Sequence, residues 1–565
     1  MYYNSLVDLS LVKGKITIKS NKYVMYEIGR EYHKDKKYNV PIRVTIGLLD
    51  KEDKSKMRPN EKFNLYFPDI ELSNISNVKR SSCLNIGTYI LISKIIKDYK
   101  LDELLSLVFG NDSKLMMDLI MYYLVEESNA SVYYPDFADN HPLFSEDMKI
   151  YSDTKISSFL KKVSDDDINT FLNAWALSRP NKEGIYISYD STNKNCQATD
   201  IELAEYGHAK DDDGKPIINI AIGFDINNRE PIFYEEYLGS INDVSQLSQM
   251  IKKVKGLGYT ENIGFILDRG YFSKKNIREM DGEHMSFIIA CKGKANFINN
   301  LVSKAIGTFE KDRKNRINKF SCYGTTIVYP LFGDDINRYI HIYYNELKAA
   351  VERENIEAKV ERISNLLKKN VGKKKDYNEY NHYFDLIYKD GFFVTAIPKD
   401  DVIEKEKEYC GYFVIVSSKE TSALEALTLY KSRDESEKLF LSDKSFLSGK
   451  AFRVQSDAAI KTKTLISFIA LIIRNKIHTY LSDYIDNTHN NQNYLNVEST
   501  IKELEKIEMI KGNDDIYRLD HALSKTQKVI LKAFDMDQAY ILNKANAISK
   551  ELQRIMKVDT KDKKK

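Results

Sequence analysis

The chain has 565 residues, 42% hydrophobic and 30% charged, with 85 Lys and Arg against 82 Asp and Glu. That length suits about three to four domains with buried cores and excludes a small module stapled by disulfides. The formal charge of +3 neither demands nor excludes a nucleic-acid partner; the local lysine clusters at Lys292 to Lys294, Lys368 to Lys375 and Lys561 to Lys565 say more. Five cysteines (Cys83, Cys196, Cys291, Cys322, Cys410) lie far apart, without a CxxC pair or zinc-like His spacing, and read as reduced thiols. The start, MYYNSLVDLSLVKGK, lacks a basic segment followed by an apolar core, and the most apolar run, Leu465 to Ile473, is too short for a bilayer. A cytoplasmic protein without membrane insertion is expected.

Residues 14–67 alternate polar and apolar positions in bursts such as ITIKSNKYVMYEIGREY, which predicts a small strand-rich N-terminal module over 1–75 that serves either as a DNA contact or as an oligomer or packing surface. Over 76–180 the period becomes helical, with ILISKIIKDYKLDELLSLVF, KLMMDLIMYYLVEE and KISSFLKKVSDDDINTFLNAWA as amphipathic segments of a helical domain. From 181 to 295 strands return. IYISYDST, NIAIGFDIN and EPIFYEEYLG predict antiparallel strands joined by short turns, DVSQLSQMIKKVKGLGY a helix, and NIGFILDRGYFS a buried strand ending at Asp268. A further helix over 272–280 and a strand at MSFIIACKGKAN follow.

Residues 296–421 read as a strand-rich insertion, with strands at TTIVYPL and RYIHIYY, a charged helix from Glu346 to Lys369, and the strand pair GFFVTAI and GYFVIVS. The stretch 422–485 resumes helical periodicity and ends in the apolar TLISFIALIIRNKIHTYL, expected to be almost wholly buried. An Asn-rich bridge at 487–494 opens the helical C-terminal region 486–565, which contains ESTIKELEKIEMI and TQKVILKAF and ends in a basic tail expected to be disordered.

Leu427 to Lys444, LTLYKSRDESEKLFLSDK, organises these pieces. Read as one helix, it places Tyr430, Arg433, Glu437 and Lys444 within about 60° on one face. A carboxylate among phosphate-seeking groups suits a metal and DNA surface, although charge runs are also the common dress of a solvated helix. The partners are Asp190 on an alternating strand and Asp268 at the end of another. Hard divalent ions require converging carboxylates on rigid elements, and Asp190, Asp268 and Glu437 supply them.

YDST around Asp190, LDRGYFS around Asp268 and the spacing Y-x2-R-x3-E-x6-K at Tyr430, Arg433, Glu437 and Lys444 resemble the DDE transposases of bacterial insertion sequences that carry the YREK signature, the insertion-sequence-four family. The segment YGHAKDDDGKPIINIAIGFD and its following EPI also resemble that family. The resemblance implies an α/β fold: a ribonuclease H-like catalytic domain with a strand-rich insertion, a small strand-rich N-terminal module, and helical N- and C-terminal regions. It implies that Asp190 bridges two Mg²⁺ ions, that Asp268 binds one and Glu437 the other, and that Mn²⁺ can substitute. Tyr430, Arg433, Lys444 and Arg269 would hold phosphates of the element's end. The implied partners are double-stranded ends of the protein's own element and target DNA, held by a homodimer in the bacterial nucleoid.

His208 is expected at the surface or behind the ligands, because two metals need no histidine base. Relatives that pass through a DNA hairpin use an indole in the insertion to hold a flipped base, yet the sole tryptophan, Trp175, precedes Asp190. Phe320 or Tyr323 could stack on such a base instead, or simply pack in the core. Two other readings fit the same residues: a silent or captured DNA-binding protein of this fold, and a metal-dependent nuclease without strand transfer. Glu437→Gln is expected to abolish strand cleavage while leaving DNA binding largely intact, since the amide loses ligand charge but little volume. Cleavage near the wild-type rate in a gel assay would remove Glu437 from the ligand set.

Overall fold

The computed structural model describes the chain apart from residues 1–5, 34–36, 51–52, 68–69, 71–79, 180–183, 197–200, 208–213, 242, 258–262, 292–295, 435–450, 453–455, 490–491 and 563–565. The chain forms two compact units: Met1–Lys94, Val132–Lys155 and Asn491–Lys565 make the first, and Ile95–Ser131 with Ile156–Asn490 make the second. No helix among the described residues is long and apolar enough to cross a membrane.

In the first unit, five antiparallel strands follow the order Val7–Asp8, Lys56–Pro59, Tyr38–Leu49, Tyr23–His33, Ile16–Lys19. Val24, Ile46, Met57 and Phe63 form its core. A second sheet joins Cys83–Asn85 to Glu508–Lys511 and Tyr517–Leu519. Here the structure corrects the helical reading of ESTIKELEKIEMI: the helix stops at Glu505, and EMI becomes a strand bonded along Cys83–Asn85. Pairing with Tyr517–Leu519 on one side and Cys83–Asn85 on the other outweighs local helix propensity. His141 reinforces the junction, its Nε2 lying 2.7 Å from Glu505 Oε2. The last helix is Gln538–Asp562, and the rest of the basic tail, where disorder is expected, lies outside the described residues.

The second unit begins with helices α1 (Leu101–Phe109), α2 (Ser113–Glu126) and α3 (Asp165–Leu177). Its ten-stranded sheet comprises β1 (Tyr186–Cys196), β2 (Ile217–Asp225), β3 (Glu230–Leu238), β4 (Gly264–Leu267), β5 (Ser286–Ala290), β6 (Arg316–Ile317), β7 (Cys322–Pro330), β8 (Asn337–Tyr344), β11 (Tyr412–Ser417) and β12 (Ala451–Phe452); β9 (Phe384–Lys389) and β10 (Phe392–Pro398) form a separate hairpin. The order is β6-β7-β8-β11-β5-β4-β1-β2-β3, with β12 on β1. β1, β2 and β3 run antiparallel, whereas β4 and β5 lie parallel to β1.

Two expectations change. The connection from β1 to β2 spans residues 197–216 and is no short turn. GFFVTAI and GYFVIVS do not pair: the first is β10, bonded to β9, and the second is β11, bonded between β8 and β5. Alternation shows that each segment is a strand but cannot name its neighbour. Further helices among the described residues include α4 (Asp243–Gly256), α5 (Lys274–Gly282), α6 (Asn296–Ala305), α7 (Glu346–Lys368), α8 (Asp400–Glu408), α9 (Ala423–Lys431) and α10 (Asp457–Thr488).

On β8, His341 is fully buried, with Nδ1 2.9 Å from Thr326 Oγ1 of β7 and Nε2 3.0 Å from Ser417 Oγ of β11. Burial lowers its pKa from 6.5 to about 4. The folded value lies below the unfolded one, so the unfolded chain takes up the proton first, and this contribution fades as pH falls from 6.5 towards about 4. The loss reaches at most about 3 kcal/mol. Thermal melts between these pH values are expected to show a flatter pH dependence for His341→Asn than for wild type; parallel curves would refute the assignment.

Candidate active site

The parallel pairing of β4 with β1 builds the site. Gly264 faces Tyr186 and Leu267 faces Tyr189, so Asp268 and Asp190 follow on equivalent rungs. Asp268 keeps extended backbone angles, φ −72° and ψ 161°, and thus continues the strand by one residue. In-register residues on neighbouring parallel strands point to the same face about 4.8 Å apart. Gly264 makes the register possible: a Cβ there would lie 2.4 Å from the Tyr186 ring. The two side chains remain partly open, at 23% exposure for Asp190 and 38% for Asp268.

Helices flank this rung on the same face. Asp190, Ile222 and Tyr234 share one line across β1, β2 and β3, and the Tyr234 ring meets Phe468 of α10 at 5.1 Å. The α10 run from Thr464 to Ile473 is entirely buried, as its apolar sequence predicts. On the other flank, α9 sets Leu427 against Ile288, Ile415 and Tyr343. Burying such a leucine contributes roughly 2 kcal/mol.

The start of α9 is fixed by a capping box: Ser422 Oγ accepts from the Glu425 N–H at 3.2 Å, and Glu425 Oε2 accepts from the Ser422 N–H at 3.0 Å. These bonds hold the exposed Glu425 carboxyl below its ordinary pKa. Tyr343 Oη donates to the Ala423 carbonyl at 2.7 Å, tying the helix to β8. The S-x-x-E spacing of Ser422 and Glu425 is the sequence signature of this cap.

So anchored, α9 delivers Tyr430 to the site, its Oη 3.4 Å from Asp268 Oδ1. The helix ends at Lys431 with Ser432 at its C-cap and helical backbone resumes at Arg433 and Asp434, so the helix expected across Leu427 to Lys444 is interrupted at Ser432, and its remainder lies outside the described residues. Arg433 nevertheless comes to the same place. Its Nη1 lies 3.6 Å from Asp268 Oδ1 and 4.0 Å from Asp190 Oδ2, and its guanidinium carbon stands 5.6 Å from the Tyr430 ring centre. Asp190 also accepts the Ser191 N–H through Oδ1 at 2.8 Å.

Arg269 is exposed in the single turn after Asp268. The rest of LDRGYFS is structural: Tyr271 is buried against Tyr189, and Ser273 Oγ accepts from the Asn276 N–H to cap α5. Glu437, Lys444 and His208 lie outside the described residues. Trp175 is fully buried, donating Nε1–H to the Pro231 carbonyl at 3.0 Å, so its ring belongs to the core. Phe320 packs against the cluster that includes Leu427, while Tyr323 lies half-buried on β7 with the Arg316 guanidinium 4.9 Å from its ring.

Two carboxylates on one rung, with a guanidinium and a phenol drawn to them, form an oxygen-rich acidic centre suited to hard cations. A family model described as "Transposase DDE domain" matches residues 187–473, slightly more than half of the chain. The chain belongs to this family. Membership implies polynucleotidyl-transferase or nuclease chemistry with divalent metal ions, and the matched segment contains Asp190, Asp268, Tyr430, Arg433 and Glu437. Comparison with curated proteins finds no match. Among solved structures, a piggyBac transposase synaptic complex with hairpin DNA is similar at a TM-score of 0.33 and 8% identity, covering 80% of this chain and 84% of that one. So low a score carries no argument about this DDE transposase.

Arg433 is nine-tenths buried and offsets the repulsion between the paired carboxylates. Arg433→Gln is expected to destabilise the protein in EDTA by about 1–2 kcal/mol, a difference that Mg²⁺ narrows. Differential scanning fluorimetry checks this; identical melting temperatures in EDTA would contradict the offsetting role.

Proposed function

We propose that this DDE transposase belongs to the YREK-signature group and carries out cut-and-paste transposition, binding the terminal inverted repeats of its own element as a homodimer. The observation that carries the reading is the placement of Asp190 and Asp268 on equivalent rungs of adjacent parallel strands. The order β3-β2-β1-β4-β5, with three antiparallel strands followed by two parallel ones, supports a ribonuclease H-like core. β6, β7, β8 and β11 would then be the insertion's continuation of that sheet.

The donors fit Mg²⁺ or Mn²⁺: both Asp side chains are partly open and supply hard oxygen atoms. Asp190 and Asp268 would be two of the ligand residues, and Glu437 the third by its place in the signature. Two ions held there would activate the attacking water or hydroxyl and neutralise the leaving oxygen. Arg433 and Tyr430 stand close enough to the carboxylates to orient a phosphate brought to them. Arg269 and Lys444 would extend this grip along the DNA.

The test uses linear DNA carrying the repeats that flank the gene, incubated with Mg²⁺ and either wild-type protein or Asp190→Asn. Wild type is expected to cut at the repeat boundary and join the released end to target DNA. Asp190→Asn should lose cleavage by at least about 1000-fold while retaining DNA binding. Cleavage without joining would indicate a nuclease, and binding without metal-dependent cleavage by wild type would indicate a captured DNA-binding protein.

A further inference from the structure

The end of α7 and the tip of the β9–β10 hairpin meet far along the chain from the carboxylates. Lys368 and Lys369 close α7, Lys373 to Lys375 follow, and Lys389 lies at the hairpin turn; all six are exposed. The loop is rigidly attached, because the Gly372 N–H donates to the Phe393 carbonyl at 2.8 Å and the Phe393 N–H to the Lys373 carbonyl at 3.0 Å. The Tyr377 N–H also donates to Tyr388 Oη at 3.0 Å. Gly391, at φ +80°, makes the turn that brings Lys374 beside the hairpin, where an added Cβ would sit 3.6 Å from Lys374 Cε.

Charge is distributed unevenly around this subdomain. Lys407 pairs with Glu357 and Glu404, Lys348 with Glu352, and Lys399 with Asp385. Among the described residues, Lys368, Lys369, Lys374, Lys375 and Lys389 make no ion pair. The nearby acids are Asp376, Glu379 and Asp390, of which Asp376 is occupied by Asn378 and reached by Tyr388 Oη. Lys374, Lys375, Asp376, Asn378, Tyr388 and Gly391 line a shallow depression, and Phe392 is 45% exposed beside it.

We propose that this lysine-bearing tip is a second DNA site, which holds the sugar–phosphate backbone of duplex away from the catalytic carboxylates. Uncompensated ammonium groups on a fixed loop suit successive phosphates, and releasing the DNA's condensed counterions supplies the driving force. Exposed rings among them offer apolar contact to the sugar edges. Lysine contacts to phosphates carry no sequence information, so the site contributes affinity without sequence preference. This extends the transposase reading to a further contact but does not depend on metal-assisted cleavage.

The test measures fluorescence anisotropy of a labelled duplex of about 30 base pairs in EDTA over a range of KCl concentrations. The variant combines Lys368→Ala, Lys369→Ala, Lys374→Ala, Lys375→Ala and Lys389→Ala; a second variant places Arg at the same positions. The alanine variant is expected to bind at least about tenfold more weakly near 0.1 M salt, with a log–log salt slope shallower by about 3–5. The arginine variant should restore both. Unchanged affinity and slope, equal losses in both variants, or no duplex binding by wild type would each overturn the proposal. Wild-type binding that depends on these lysines, without metal-dependent cleavage, would sink the catalytic reading and leave this site standing.

Discussion

The site depends on one constraint, the register between β4 and β1. Because Gly264–Leu267 pairs rung for rung with Tyr186–Tyr189, the next residues are forced side by side on one face. A slip of one residue would turn Asp268 towards the opposite face and separate the carboxylates. The register is held from both sides of the sheet: the Tyr186 ring occupies the space left by Gly264, and Tyr189 packs on Tyr271 and donates its Oη–H to Glu235. Core packing and site geometry are therefore one structural requirement.

The helices on the carboxylate face divide the labour. α10 spends its apolar sequence on burial over the outer strands, while α9 combines a capped start, a buried Leu427 and a polar end. Because Tyr343 and the capping box fix where α9 begins, Tyr430 and Arg433 arrive at a determined distance from Asp268. The positive charge of Arg433 makes the close approach of Asp190 and Asp268 tolerable in the polypeptide itself. The same charge is available to a phosphate, so the contact that stabilises the site also prepares it for an anionic substrate.

Much of this was legible in the sequence because the signals were local. Alternation in IYISYDST and the apolar run before Asp268 identify two strands, and helical spacing joins Tyr430 to Arg433. The pairing of those strands was not legible, since periodicity does not encode neighbours; β10 and β11 looked like partners but belong to different sheets. Glu508–Lys511 reads as helix because its strand is fixed by pairing on both sides, with Tyr517–Leu519 and with Cys83–Asn85 more than four hundred residues away, and pairing leaves no periodic signal in so short a segment. The break at Ser432 leaves no signal either, since nothing in YKSRDE forbids a continuous helix. Trp175 was a matter of chemistry rather than pattern: its indole N–H is satisfied inside the core, which removes it from any DNA role.

The most direct measurement of the central claim is calorimetric titration of Mn²⁺ into wild type, Asp190→Asn and Asp268→Asn, each first confirmed to be folded. If the register makes the two carboxylates a joint ligand set, each single substitution weakens Mn²⁺ binding by about tenfold or more, because either one breaks the pair. Wild-type affinity in either folded variant would contradict the account.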